Sequence, residues 1–342
     1  MPFPSYTSRR FCPARSFRVE WTRKLFAAAV CGVLFFSLAF PAHASLDLSA
    51  AERLLHHGDV ERAIAAVRPV VSAQPANGAA HLLLCRSLYA YQHIDDAVAE
   101  CEAAAASLHS STALDWMGRA YGRKAEQYGP LSGLSYARRV REAFESAVAA
   151  DPHNGAAVND LSEFYINAPA MIGGGLDKAA ALAARSAPAL PQNAHRIRAM
   201  AAEKASDYGT AEREFRAAAA VANQPTAWAD LADFYGRRKQ YPRVIETLQH
   251  AVSLDRSADY VLVDVADILQ STKQHPELSE QWLRAYLAGN AQTDDAPTFR
   301  ARTELAKLLA RRGDKTSARV ELQRALAQAP DYEPAKKALH SL

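Results

Sequence analysis

The sequence predicts an all-α fold, a right-handed α-solenoid of about eight helix-turn-helix units. Three observations carry this reading. Hydrophobic residues make up 49% of the 342 positions, and alanine, the strongest helix former, dominates them. Long alternating runs of β-branched residues, the mark of strands, are missing. A unit of 34 residues recurs along most of the chain, and a fixed period of this size signals stacked repeats.

The period is clearest at the C-terminal end. In a unit starting at Phe299, Ala306, Leu309, Ala318, Leu322, Ala325 and Pro330 fall at places 8, 11, 20, 24, 27 and 32. Residues 225–258 fit the same grid, with Trp228, Leu231, Ala232, Tyr235, Leu248 and Ala251 at places 4, 7, 8, 11, 24 and 27. Residues 78–111 fit it with Leu84, Cys85, Leu88, Ala97, Cys101 and Ala104. Small residues at 8, 20 and 27 let two antiparallel helices approach, and large ones at 4, 7, 11 and 24 fill the space between turns. Proline at place 32 stops the second helix. The pattern resembles the tetratricopeptide repeat family over nearly all of the chain beyond residue 44.

From the N-terminus, residues 1–44 read as a cleavable signal. Six basic residues (Arg9, Arg10, Arg15, Arg18, Arg23 and Lys24) precede the apolar run LFAAAVCGVLFFSLAF at 25–40. Pro41 and the small-residue site AHA follow, placing cleavage after Ala44. The run is short for a bilayer span. No cysteine stands at the cleavage point, which disfavours a lipoprotein. Phe11-Cys12 interrupts a twin-arginine signal after Ser8-Arg9-Arg10. The expected location is periplasmic or secreted, with no stable membrane span after cleavage. Without the leader, 34 basic and 36 acidic residues remain. The apparent basicity belongs to the leader, and nothing points to a nucleic-acid partner.

The solenoid is expected over residues 45–332, with units starting near 44, 78, 111, 155, 192, 225, 259 and 299. The first and seventh are the least regular. In the second unit Cys85 and Cys101 face each other at places 8 and 24. A disulfide is possible if their Cα atoms lie within about 7 Å; two small buried thiols are the other reading. The third unit carries an insert near residues 122–139, where proline 32 arrives ten residues late. A turn at Tyr128–Gly133 between lengthened helices is expected, projecting about 7 Å beyond the neighbours at 1.5 Å per residue. The fourth unit carries a shorter insert near 168–176, in the turn after Val158, Leu161, Ser162 and Tyr165. It contains Gly173, Gly174 and Gly175 ahead of a helix. No Lys-Ser/Thr pair follows and no strand precedes, so the glycines read as a long turn rather than a phosphate cradle. Residues 333–342 form a capping helix with Pro334 in its first turn.

Two candidate partner surfaces follow. The inserts emerge from equivalent turns roughly 10 Å apart, offering Tyr128, Leu131, Leu134, Met171 and Ile172 as an apolar edge, or simply packing on each other. Family resemblance implies the second surface, a concave groove lined by the first helix of each unit that takes protein or peptide partners. Places 2, 5, 9, 12 and 13 supply Arg86, Tyr89, Asp115, Arg119, Arg123, Asn159, Glu163, Asn167, Arg196, Lys204, Asp233 and Arg237. The set leans basic, which favours an acidic ligand; a solvated helix face is the plainer reading. The lysine–asparagine clamp of some family members is not reproduced. HExxH, GxSxG and paired CxxC motifs are absent, and His56 and His57 point to different helix faces. The expectation is therefore no enzyme, no cofactor and no metal. The expected role is an exported interaction scaffold in the cell envelope, with assembly of an envelope polymer such as exopolysaccharide as the alternative.

Overall fold

Each period of the sequence becomes a pair of antiparallel helices in the computed structural model, which describes residues 48–254, 261–289, 293 and 296–342, the side chains of 129–132 excepted. The leader at 1–44 lies outside the described residues. The first four hairpins are α1 (Leu48–His56) with α2 (Val60–Ala73), α3 (Gly78–Ala90) with α4 (Ile94–Leu108), α5 (Ser111–Ser132) with α6 (Leu134–Ala150), and α7 (Gly155–Asn167) with α8 (Leu176–Ser186). The next four are α9 (Pro191–Lys204) with α10 (Tyr208–Ala222), α11 (Pro225–Arg237) with α12 (Tyr241–Ser253), α13 (Val261–Thr272) with α14 (Pro276–Ala288), and α15 (Thr298–Arg311) with α16 (Lys315–Gln328). A last helix, α17 (Glu333–His340), covers the end of the stack.

Local chemistry sets the helix starts. Asn77, Asn154, Asp207 and Asp314 each accept a hydrogen bond from a first-turn amide, satisfying donors a helix cannot use itself. Pro191 and Pro225 open their helices, where a missing N–H costs nothing. The alanines at places 20 and 27, Ala97, Ala104, Ala211, Ala251, Ala318 and Ala325 among them, are fully buried. Their small size sets how closely the paired helices pack. A disulfide joins Cys85 on α3 to Cys101 on α4, with the Cα atoms 5.1 Å apart.

Both inserts are tighter than their spacing implies. Helix α5 runs through Ser132, so the turn expected over Tyr128–Gly133 shrinks to Gly133 alone. Pro130 forfeits one backbone bond but its φ suits a helix, and Lys124, Ala125, Glu126 and Gln127 ahead of Tyr128-Gly129 are good helix formers. In the fourth unit a single 3-10 turn, Ala170–Ile172, leads into the glycines. The amides of Gly173, Gly174 and Gly175 donate to the carbonyls of Ala170, Pro169 and Tyr165. None of the three is left to hold a phosphate. A Cβ on Gly174 would lie 1.8 Å from the Ala168 carbonyl oxygen, so a close backbone crossing demands that glycine.

The two ends of the stack meet. Thr298 Oγ1 donates to the His57 carbonyl at 2.8 Å, and Gln328 Nε2 donates to the same oxygen at 3.1 Å. The Asp331 amide donates to the buried hydroxyl of Tyr91 at 2.8 Å. Gly58, at φ +78°, leaves room for this contact; a Cβ there would sit 2.2 Å from Thr298 Oγ1. The buried core reflects the closure. One cluster fills repeats two to five, from Cys85 to Ile197, a small one holds Ala104, Ala105 and Ala113, and the largest unites Ala51–Ala97 with Ala199–Ala335. Apolar burial, the main driving force of folding, thus joins first and last repeats.

Candidate functional site

The first helices of the hairpins turn one face inward, and the repeat period dictates what that face carries. Residues about 34 apart stand at matching heights on neighbouring helices. Arg86 reaches Glu52 at 2.8 Å, Arg196 reaches Glu163 at 2.7 Å and Asp230 at 2.9 Å, and Arg237 reaches both oxygens of Glu203 at 2.8 Å. Arg300 reaches Asp267 at 3.1 Å. The result is a ladder of ion pairs that staples repeat one to two, four to five, five to six and seven to eight.

The ladder corrects the basic character expected of the groove. Arg119 sits between Asp115 at 3.1 Å and Asp160 at 2.6 Å. Arg196 sits between Glu163 and Asp230, and Arg237 between Glu203 and Asp233. Each of these three arginines is shared by two carboxylates. The expectation counted the arginines on places 5, 9 and 13. It missed place 6, which carries Asp160, Asp230 and Asp264. Places 2, 6, 9 and 13 follow the i, i+4, i+7, i+11 stripe of one helix face, and that stripe was the available signal. Burial pushes the carboxyl groups of Asp115, Asp160, Asp230 and Asp267 above the usual carboxylate range, against the pull of the adjacent arginines. For Asp115, 3% exposed, the rise reaches about 7, and Asp160 adds to it.

Two cavities open on this face. The larger, about 560 Å³, is walled by α7, α9, α11 and α13, with Asn159, Asn193, Arg196, Asp230, Asp233, Asp264 and Asp267 in its lining. The smaller, about 430 Å³, lies at the seam where the ends meet and brings Tyr89, Trp116, Arg119 and Arg123 to Pro297, Arg300 and Tyr332. There Tyr89 packs edge-on against Trp116 at 5.4 Å, and the Arg119 guanidinium lies 4.9 Å from the Trp116 ring. Burial raises the Tyr89 and Tyr332 phenols. Arg123 also holds Glu126 at 2.7 Å.

The structure thus splits the expected groove residues between the two cavities. Asn159, Arg196 and Asp233 belong to the acidic one, Tyr89, Arg119 and Arg123 to the seam, and Arg86, Glu163 and Arg237 to the ladder. Asn193, Asp264 and Asp267 were not foreseen. At the inserted edge, Tyr128 is half exposed and stacks on Tyr136 at 5.7 Å, with Lys124 Nζ 4.9 Å from its ring. Met171 is 75% exposed, whereas Ile172 is 7% exposed and therefore leaves the proposed apolar edge. Its carbonyl accepts from Arg141 Nη1 of α6 at 3.3 Å, which ties the second insert to the preceding unit. Leu134 is partly buried, and the Leu131 side chain lies outside the described residues. Among the described residues, no cluster of histidine, cysteine and acidic side chains is arranged to hold a metal ion, and no helix is long and apolar enough to cross a membrane.

Residues 54–114 match the model of the tetratricopeptide repeat family, and that match falls on hairpins that the rest of the stack repeats. Residues 54–114 thus carry the tetratricopeptide repeat, and the other hairpins resemble it in fold. Among solved structures, yeast Tom70 is similar to this repeat array over 82% of the chain and 57% of its own, at 14% identity and a TM-score of 0.50. That likeness is one of fold. The Cut9–Hcn1 hetero-tetramer of the APC/C aligns with 86% of the chain and 54% of its own, at 14% identity and a TM-score of 0.39. A tetratricopeptide repeat protein of Parabacteroides merdae aligns over 86% and 96%, at 13% identity and a TM-score of 0.38. The array thus spans about half the length of the Cut9 and Tom70 chains. No curated protein sequence matches it significantly. A tetratricopeptide repeat fold implies a scaffold for protein–protein contact.

Proposed function

We propose that this repeat protein is exported to the cell envelope and holds a protein partner against its inner face. The observation that carries the reading is the cavity of about 560 Å³, walled by four successive first helices. Ligand sites are concave, with a few convergent polar groups, and this one has them. The disulfide between Cys85 and Cys101 supports export, because such bonds persist in oxidising compartments. The leader at 1–44 supports it independently.

A photo-crosslinking residue at Ser271, exposed on the cavity rim, tests the inner face in the native cell. A second probe at Met171 tests the inserted edge, which its exposure favours as the other docking surface. A discrete protein adduct from Ser271 is expected. An adduct from Met171 alone transfers the function to the edge, and a glycan in place of a protein favours the role in polymer assembly. Export is checked by N-terminal sequencing. The envelope fraction should yield a chain starting at Ser45; a full-length chain confined to the cytosol removes that part of the reading.

A further inference from the structure

Two tyrosines in the wall of the seam cavity keep hydroxyls that bond to nothing. Tyr89 comes from the end of α3, and Tyr332 stands just ahead of α17. Among the described residues neither hydroxyl has a hydrogen-bond partner, and neither does the indole N–H of Trp116 in the same wall. The other buried tyrosines use theirs. Tyr121 donates to Glu102 at 2.8 Å, Tyr165 to Glu145 at 2.9 Å, Tyr235 to Glu212 at 3.1 Å and Tyr286 to the Ala296 carbonyl at 2.6 Å. Tyr91 accepts from the Asp331 amide at 2.8 Å. Tyr332 is 4% exposed, and buried polar groups are nearly always satisfied. Its hydroxyl is not sealed in the core but reaches the cavity of about 430 Å³. A group in that position can take its partner from a ligand.

The wall is rich in donors. Arg119, Arg123 and Arg300 line it with the two phenols, the indole and Gln92. Guanidinium and indole groups only donate. Burial raises the Tyr89 phenol, and the Tyr332 phenol to about 12, so both keep their protons. Each guanidinium already holds a carboxylate: Arg119 those of Asp115 and Asp160, Arg123 that of Glu126, Arg300 that of Asp267. None of these carboxylates lines the cavity. Selection therefore rests on the direction of the donors and not on surplus charge. An ionised acceptor suits them, because its hydrogen bonds are about twice as strong as those of a neutral one. The remaining wall is flat and apolar. Tyr89 meets Trp116 edge-on at 5.4 Å, Tyr332 meets Phe299 edge-on at 4.8 Å, and Ala90 and Pro297 complete the lining. Such a wall takes an aromatic ring.

We propose that the seam cavity binds a small aryl carboxylate. Its oxygens accept from the Tyr89 and Tyr332 hydroxyls and the Trp116 N–H, beside the Arg123 guanidinium, and its ring lies against the aromatic wall. Tyr89, Trp116 and Arg123 belong to repeats two and three, whereas Arg300 and Tyr332 belong to the last repeat and the cap that follows it. The ligand therefore bridges the two ends of the stack. Bound to the closed form alone, it holds the ends together by mass action. This site is separate from the acidic wall and stands whether or not a protein docks there.

The test titrates naphthoate into the purified protein by calorimetry, with naphthamide as the neutral control and naphthylmethylammonium as the cationic one. Naphthoate should bind at least about tenfold more tightly than either control. Tyr89→Phe combined with Tyr332→Phe keeps both rings and removes both hydroxyls, and should weaken naphthoate at least about tenfold. Tyr208→Phe on the outer helix α10 leaves the affinity unchanged. Arg123→Gln, at a side chain 43% exposed, should weaken naphthoate at least about fivefold and serves if the double variant misfolds. Saturating naphthoate should also slow hydrogen exchange of the Asp331 amide, which donates to Tyr91 across the seam. No binding of naphthoate, equal binding of naphthoate and naphthamide, or unchanged affinity in the folded double variant or in Arg123→Gln would overturn the proposal. Unchanged exchange at the Asp331 amide with naphthoate bound overturns the bridging of the two ends.

Discussion

The two cavities of the inner face are built by different rules. The acidic wall comes from translation: the same helix stripe is set down four times, and each arginine meets carboxylates about 34 residues away. The seam comes from closure: Thr298 meets His57 and Asp331 meets Tyr91 across some 240 residues of chain. A repeated stripe needs only nearest-neighbour packing, so its interactions are local and many. Closure depends on accumulated curvature, so its interactions are few and each matters more.

Breaking covalent support beside the seam should have the largest effect. The disulfide constrains α3 and α4, and the end of α3 and the turn after it carry Tyr89 and Tyr91 into the seam. It spans a sequence separation of 16, and a loop of that size is worth about 3 kcal/mol in the chain-entropy model. The Cys85→Ala, Cys101→Ala pair should therefore lower the denaturant midpoint by a corresponding amount. Hydrogen exchange should quicken first in the second repeat and at the Asp331 amide. Uniform loss across all eight repeats would mean that the bond does not support the seam in particular.

Closure itself is tested at Gly58. Alanine there meets an unfavourable φ and collides with Thr298, costing about 2 kcal/mol. The expected result is a larger radius of gyration by small-angle scattering, with partner binding at the acidic wall unchanged as read by the Ser271 crosslink. Loss of that binding would show the two regions to be coupled through the ring.

The smallest effect belongs to the ladder and depends on pH. Burial raises the Asp115 carboxyl to about 7 in the folded chain, against an ordinary value of 3.8. The folded state then binds the proton more tightly than the unfolded state, so stability falls as pH rises between those values. Melting temperature should rise by about a few degrees from pH 7.5 to pH 5. Asp115→Asn should flatten that rise, measured by calorimetry, and should stabilise the chain at pH 7.5. An unchanged pH profile in the variant would place the titration elsewhere in the ladder.

Much of the repeat was readable because it is local. Ala306, Leu322 and Ala325 recur at fixed places, and those places translate directly into buried helix faces. The pairing of Cys85 with Cys101 was readable as an opportunity, since places 8 and 24 face each other in every unit. The charge of the inner face was readable in principle, and an incomplete stripe concealed it. With place 6 left out, the arginines stood without the aspartates that neutralise them. The turn at Gly133 and the burial of Ile172 were not readable, because both depend on how an insert settles on its neighbour.

The sequence by itself determined the hairpins, their number and the residues between them, because helix propensity, capping and a 34-residue apolar period act over short distances. Tertiary structure alone decided that the ends meet, that Gly58 makes room for Thr298, and that Arg196 is shared between Glu163 and Asp230 of the neighbouring repeats. Curvature is the sum of small rotations at every repeat interface, and no single repeat encodes where the sum will bring the last helix.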